Sequence, residues 1–492
     1  MGSEPDYYEM LGVTRSATID EIKHAYRALA RRYHPDSRTA DVATTRFHEV
    51  QLAYSILGDE VQRRAYDRRL DAASPAKHAL LSWDILISQP ELYTGYEQQV
   101  FYVLLEVRQT SAEPGGRLPL NLCLVVDQST SMQGSRLGCV KAAASKIIDN
   151  LSDQDVISIV GFSDRAEVFL ASQLVSNRTR AKAKVSTIRA GGGTEILQGL
   201  SRGIAELKKH HSERVTSHLI LLTDGRTYGD DDACIALAEQ AGEQHIGITT
   251  MGIGEDWNDV LLDEVAKRSG GTSVYISAAE QVQKVLQHHL DGLGMIFAQN
   301  VKLSLNLAEN VSLENTFKIS PFLERVRVNA GVLSLGSLQS DVPLVVILAL
   351  ATGPRAVGRH RLARLELSAD VPSVNITGTK QSHDLVISFS DDVVEYPVIP
   401  PPIISALRKV TLYEMQKKAW VALEEGNVEG ATRQLEMVAT RLFDLGESDL
   451  AQAAMLEAGR IASGALASAR GHKQLKYGTR SLNMTSGRRS DD

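Results

Sequence analysis

A chain of 492 residues is long enough for about three domains at ~100–200 residues each, and its 43% hydrophobic and 23% charged residues exclude a disordered polymer. Sixty acidic against 53 basic residues leave a formal net charge of −7, which argues against a general nucleic-acid binder. The three cysteines, Cys123, Cys139 and Cys234, share no close spacing, which excludes a disulfide framework and a four-cysteine zinc site and leads us to expect a reducing compartment.

The first residues carry neither the basic and apolar regions of a secretory signal nor the Ser or Thr at position 6 that myristoylation needs. The most apolar stretch, Val342 to Ala351, is far short of the ~20 residues that span a bilayer. A cytoplasmic protein without membrane or nucleic-acid partners is expected.

In chain order, Ile22, Tyr26, Leu29 and Tyr33, then Phe47, Val50, Tyr54 and Leu57, follow helical spacing. A small, polar linker from Asp71 to Lys77 precedes strand-like sequence from Leu80 to Thr110, and Ser111 to Arg117 reads as a loop. Between Leu118 and about Leu293 apolar runs alternate with amphipathic helices. The runs are Leu120–Val126, Val156–Phe162, His218–Leu222, Ile246–Ile253 and Ser273–Ile276, and the helices include Ser135–Leu151 and Glu195–Lys209. Continuous apolar strands alternating with helices predict a doubly wound, mostly parallel α/β sheet covered on both faces.

From Val301 to about Val398 strands return without helices, at Val301–Leu307, Val326–Val328, Val342–Leu350, Arg361–Leu367 and Leu385–Phe389. Their likeness to 80–110 predicts one β-sandwich interrupted by the α/β domain. Past Pro400, Pro401 and Pro402, residues 403–467 read as three helices broken at Gly426 and Gly446. The last ~25 residues, polar and basic, read as a partly disordered tail. The expected division is 5–70, 78–113, 117–297, 298–398, 399–480 and a tail, 481–492.

Two constellations carry chemistry. Thr18-Ile-Asp-Glu21 has the form of a capping box opening a helix. Lys23, Arg27 and Arg31, four apart, form a basic stripe on it, and Pro35 disfavours helix at His34, so His34-Pro35-Asp36 is expected as an exposed loop. Taken alone, the stripe is a solvated face followed by a turn. Its neighbours add more: Asp6-Tyr-Tyr-Glu-Met-Leu-Gly-Val13 before it, Arg46-Phe-His-Glu-Val-Gln-Leu-Ala-Tyr-Ser-Ile-Leu57 after it, and a closing Gln62-Arg-Arg-Ala-Tyr-Asp67. Over its full length the region resembles the J domain of DnaJ-type co-chaperones, a small all-α fold. The resemblance implies that His34, Pro35 and Asp36 stimulate ATP hydrolysis by a DnaK-type chaperone and that Lys23, Arg27 and Arg31 form the docking face. Ala28 departs from relatives that carry a second basic residue there, which implies reduced affinity. The Gly/Phe-rich linker and the Cys-x-x-Cys-x-Gly-x-Gly repeats of DnaJ itself do not follow, so another part of the chain must choose the client.

The second constellation begins where the strand Leu120–Val126 runs into Asp127-Gln-Ser-Thr-Ser131. Downstream lie Gly191-Gly-Gly-Thr-Glu-Ile196 and His218-Leu-Ile-Leu-Leu-Thr-Asp-Gly225. In an open α/β sheet ligands bind at the carboxyl ends of strands, at the topological switch point, where Asp127, Thr194 and Asp224 could meet. Two carboxylates with hydroxyls offer only oxygen, which suits a hard cation such as Mg²⁺, Mn²⁺ or Ca²⁺. Residues 118–293 resemble a von Willebrand factor type A domain with a complete metal-ion-dependent adhesion site. The resemblance implies Asp127, Ser129, Ser131, Thr194 and Asp224 as metal ligands, some through water, with an acidic side chain of a protein partner completing the shell. It extends more loosely into the flanking strands and the helical end, including Tyr477-Gly-Thr-Arg480.

Enzyme motifs are scarce: no phosphate-binding Gly-x-x-x-x-Gly-Lys loop, no Gly-x-Ser-x-Gly elbow and no His-Glu-x-x-His helix occur. The adjacent pairs His210-His211 and His288-His289 point ~100° apart on a helix and make poor joint ligands. The leading expectation is a non-enzymatic co-chaperone or adaptor. A metal-dependent scaffold without ATPase stimulation, and a metal-dependent hydrolase centred on Asp127 and Asp224, stay open as rivals.

Overall fold

The computed structural model describes residues 7–11, 19–32, 40–59, 62–63, 66, 80–110, 118–212, 214–227, 229–374, 376–391 and 399–482. The chain divides into two compact units, Met1–Leu80 and Leu81–Asp492.

The first unit contains helices α1 (Tyr7–Leu11), α2 (Ile19–Arg32) and α3 (Ala40–Leu57). Their helical spacing places Leu11, Ile22, Val50, Ala53 and Leu57 in one small core with Tyr66. Aromatic packing closes it: the Tyr26 and Tyr54 rings stack at 4.1 Å, and the Tyr7 amide donates to the Tyr66 hydroxyl at 3.0 Å.

In the second unit, strands β4 (Leu120–Asp127), β5 (Val156–Phe162), β6 (Ala166–Leu174), β7 (Thr216–Thr223), β8 (Gly247–Ile253) and β9 (Ser273–Ile276) form one sheet in the order β6-β5-β4-β7-β8-β9. All pairings are parallel except β5 with the edge strand β6. Alternate residues of β4 serve the two faces. Leu122, Leu124 and Val126 pack with α4 (Ser135–Asn150), α5 (Arg178–Ser186) and α9 (Val282–Gly294). Cys123 and Val125 pack with α6 (Ile196–Lys208), α7 (Asp231–Glu243) and α8 (Asp259–Ser269). Helices on both faces are why the central strands β4, β5, β7 and β8 carry near-continuous apolar runs rather than alternating ones.

The strands before and after this domain share two further sheets. One runs β1 (Leu81–Ile87), β3 (Gln99–Gln109), β15 (Leu344–Thr352), β11 (Val311–Ser320), β12 (Glu324–Arg325). The other runs β13 (Val328–Asn329), β14 (Val332–Gln339), β10 (Ile296–Leu307), β16 (Gly358–Val371), β17 (Ile376–Ser390), β2 (Glu91–Tyr93). β3 pairs with β15 in unbroken antiparallel register from Val107↔Leu344 to Gln99↔Thr352. Gln381 Nε2 donates to the Leu81 carbonyl at 2.7 Å, and Trp83 meets His383 edge-on at 6.2 Å, linking the two sheets.

Helices α10 (Pro401–Glu424), α11 (Val428–Asp444), α12 (Ser448–Ala462) and α13 (Ala469–Arg480) follow. Ile403 and Ala406 of α10 pack on Leu104, Phe317, Ile319, Val345 and Ile347, covering the outer face of the first sandwich sheet.

Three sequence expectations are corrected. Val326–Val328 is not one strand: Val326 and Arg327 belong to neither β12 nor β13 and connect the two. β6, α5, β11 and β14 went unread, because their polar faces mask the apolar period. Residues 469–480, placed in the helical region but within the polar, basic stretch expected to be partly disordered, form an ordered helix, α13, whose Leu475 and Tyr477 are buried and whose cations find carboxylates in the α/β domain. Among the described residues no helix is long and apolar enough to cross a membrane.

Candidate functional site

The chain leaves β4 for β5 on one side and returns to β7 on the other, so the carboxyl ends of β4 and β7 bound the crevice at the switch point. Asp127 closes β4 there and is 0% exposed. Its oxygens accept from the Ser129 amide at 2.7 Å and from the Thr223 hydroxyl at 2.6 Å. The Ser129 and Ser131 hydroxyls lie 2.9 Å apart, and Ser131 donates to Asp224 Oδ1 at 2.7 Å. The other Asp224 oxygen pairs with Arg136. Burial pushes the Asp127 carboxyl above its usual range, with the Asp224 charge adding to it, against the hydrogen bonds from Thr223 and Ser129.

The glycine run supplies the third side. Thr130 donates from its amide and its hydroxyl to the Gly192 carbonyl at 3.1 and 3.0 Å, and the Gly191 amide donates to the Gln128 carbonyl at 2.7 Å. The Gly193 amide donates to Asp164 Oδ1 at 2.9 Å. Gly192 has φ +90, a left-handed conformation that glycine adopts without strain. Thr194 then lies against the loop after β7, where a Cβ on Gly225 would come within 2.9 Å of its hydroxyl. Among the described residues the Thr194 hydroxyl makes no hydrogen bond.

The five sequence-nominated residues thus surround one crevice: Asp127, Ser129, Ser131 and Asp224 in a continuous hydrogen-bonded set, Thr194 beside it. No group of three His, Cys, Asp or Glu side chains converges as a metal site among the described residues. A cation here would rest on two carboxylates and three hydroxyls, a donor set that fits a hard ion. The buried Asp127 charge, with Asp224 nearby, is what such an ion offsets.

Sequence reasoning missed Thr223, Arg136 and Asp164. Thr223 was visible as the residue before Asp224, and Arg136 as a cation opening the helix just past Ser131. Asp164 gave no signal. Arg136 offsets part of the Asp224 charge that faces Asp127. The histidines stand apart from the crevice: Thr249 bridges His218 and His289 at 2.9 and 2.6 Å.

Comparisons with known proteins agree with this reading. Family profiles match residues 6–67 as a DnaJ domain, 121–288 as a von Willebrand factor type A domain and 401–485 as an Sll0103-like, C-terminal alpha-helical domain. The chain carries a DnaJ domain and a von Willebrand factor type A domain.

The Synechocystis protein Sll0103 is 29% identical over 363 residues, 72% of this chain and 86% of its own length. The DnaJ chaperone of Bacillus cytotoxicus is 54% identical over 66 residues, which span 13% of this chain but 18% of that relative. Among solved structures, a von Willebrand factor type A protein from Catenulispora acidiphila superposes with a TM-score of 0.67 at 18% identity, covering 82% of this chain and 97% of that one. The ArnB paralog VWA2 from Sulfolobus acidocaldarius superposes with a TM-score of 0.53 at 16% identity, covering 82% and 100%. At these identities the two share the fold over 82% of this chain.

In the DnaJ domain α2 carries Lys23, Arg27 and Arg31; Arg27 is exposed and Lys23 half-buried. The Arg31 side chain and all of His34, Pro35 and Asp36 lie outside the described residues. α13, in the C-terminal helical domain, is latched onto α8 of the type A domain. Asp263 accepts from Tyr477 at 2.7 Å and pairs with Lys476 at 2.8 Å and Arg480 at 2.9 Å. Lys473 donates to the Trp257 carbonyl at 2.8 Å, with its ammonium 4.2 Å from the Trp257 ring.

Proposed function

We propose that the protein is a cytoplasmic, non-enzymatic co-chaperone that links a DnaK-type chaperone to a protein client. The DnaJ domain docks through Lys23, Arg27 and Arg31, whose positive stripe steers an acidic partner surface and raises the on-rate more than the affinity. His34 and Asp36 then present one donor and one acceptor to the chaperone, across Pro35, and ATP hydrolysis takes place in the partner.

The type A domain supplies the client site. Asp127 and Asp224 would hold Mg²⁺, or Mn²⁺ or Ca²⁺ in its place, with Ser129, Ser131 and Thr194 as neutral ligands directly or through water. A bound cation supplies an open coordination position that a client carboxylate fills. Thr223 and the Ser129 amide hold the Asp127 carboxylate in place, and Arg136 balances the far oxygen of Asp224. The observation that carries the proposal is the convergence of Asp127, Ser129, Ser131 and Asp224 in one hydrogen-bonded set at the switch point.

The test has two arms. His34→Gln should abolish stimulation of a DnaK-type ATPase in single-turnover assays while leaving the circular dichroism spectrum intact; equal stimulation by both proteins sinks the co-chaperone reading. Capture of client proteins from the native host should be lost in EDTA and restored by Mg²⁺. Capture indifferent to EDTA sinks the metal reading without touching the first.

A further inference from the structure

Three sheets end at one cleft. β9 is the terminal strand of the type A sheet, β12 of one sandwich sheet and β13 of the other. Residues of all three line a cleft of about 930 Å³, together with residues of α8, β11, α10 and α13. A terminal strand presents backbone donors and acceptors without a partner strand, the template on which an extended peptide adds. β12 and β13 are two residues each, joined by Val326, whose amide donates to the Thr316 carbonyl at 3.1 Å, and Arg327, so each sheet ends here on a short strand with no further strand paired outside it.

The charges lining the cleft are unbalanced, seven Lys and Arg against four Asp and Glu. Each acid is engaged: Asp263 by Lys476 and Arg480, Glu264 by Arg268, Glu314 by Ser312 and Glu324 by Lys318. Most of the cations are not. Among the described residues Lys267, Arg327, Lys417 and Arg470 form no ion pair, and Arg325 donates only to the Asn315 side chain, at 2.6 Å. The wall also holds polar atoms without partners: the hydroxyl of Thr316, a residue 3% exposed, the hydroxyl of Tyr275 and Nε of Arg480. Buried donors left unpaired are costly, and a ligand rich in acceptors would satisfy them.

We propose that this cleft binds an extended acidic segment of a partner protein, its backbone against the sheet edges and its carboxylates on the unpaired cations. Sheet edges select an extended chain over a compact anion, and the surplus of Lys and Arg selects acidic side chains. None of the five candidate metal ligands lines the cleft. The site therefore works without a metal and stands independently of the client site proposed above.

The test is fluorescence anisotropy of the full chain with a fluorescein-labelled decapeptide of alternating Glu and Val, in EDTA. Binding should occur there and should be absent for the matching Lys-Val decapeptide. Arg327→Glu combined with Arg470→Glu should weaken it about tenfold, and Lys417→Glu alone, on a separate helix, about threefold. Binding that ignores these reversals, or that needs Mg²⁺, overturns the proposal. So does inorganic tripolyphosphate binding more tightly with the same dependence on the variants, since the cleft is then a small-anion site.

Discussion

Asp127→Asn should change sign between metal-free and Mg²⁺ buffer. Asp127 is fully buried, and burial pushes its carboxyl up, so the metal-free fold bears a desolvated charge. Asparagine keeps the volume and an acceptor for the Ser129 amide, and turns its amide nitrogen toward the Thr223 hydroxyl, which accepts as readily as it donates. In EDTA the variant should therefore melt at or above the wild type. In Mg²⁺ the order inverts, because an ion that binds only the native state adds RT ln(1 + [L]/Kd), about 2.7 kcal/mol at a hundredfold excess over Kd. At ~2.1 cal/mol/K per residue, that is about 3 °C if Leu81–Asp492 melts as one unit, and about 8 °C if the type A domain at 121–288 melts alone. Scanning calorimetry of the full chain, with Mg²⁺ and with EDTA, reads both terms. Ser129→Ala and Thr194→Ala, each removing a neutral ligand, should keep part of the Mg²⁺ shift. An equal Mg²⁺ shift in wild type and Asp127→Asn would refute the reasoning. So would a large loss of stability in EDTA, which would make Asp127 a structural carboxylate.

Three further predictions concern the architecture. Asp263→Asn strips the common carboxylate from Lys476, Tyr477 and Arg480; breaking a largely buried pair costs about 3 kcal/mol. Amide exchange along Ala469–Arg480 should then speed up about a hundredfold, and unchanged protection would show that apolar packing alone holds α13. The same latch should be acid-sensitive. Burial by itself raises the Asp263 and Asp259 carboxyls, but Lys476, joined at Asp263 by Arg480, outweighs it and holds both below 3.8. A depressed carboxyl contributes stability above its unfolded value that is lost as pH falls through the folded one, so protection of α13 should hold at neutral pH and fall only below about pH 4. A fragment of residues 296–390 lacks β3 and exposes the whole edge of β15, so it should aggregate on size exclusion. A monomeric, cooperatively melting fragment would show that the sandwich does not depend on 81–109.

The sequence by itself determined whatever is local. Val156–Phe162 was readable to the residue, because a strand covered on both faces is buried at every position and carries a near-continuous apolar run. Asp127, Thr194 and Asp224 were legible as loop and strand-end residues near the switch point. The full set with Ser129 and Ser131 was implied by the resemblance to a von Willebrand factor type A domain, and the fold lays these residues around one crevice. Whatever depends on pairing between distant residues had to wait for the tertiary structure. β6 is half exposed and carries no continuous apolar run. α13 reads as polar, basic and partly disordered sequence until Asp259 and Asp263, more than 200 residues upstream, supply its counter-charges. Arg136 beside Asp224, and three sheet edges at one basic cleft, are likewise products of topology: charge acts through space, and spacing along the chain does not record which elements the sheet order brings together.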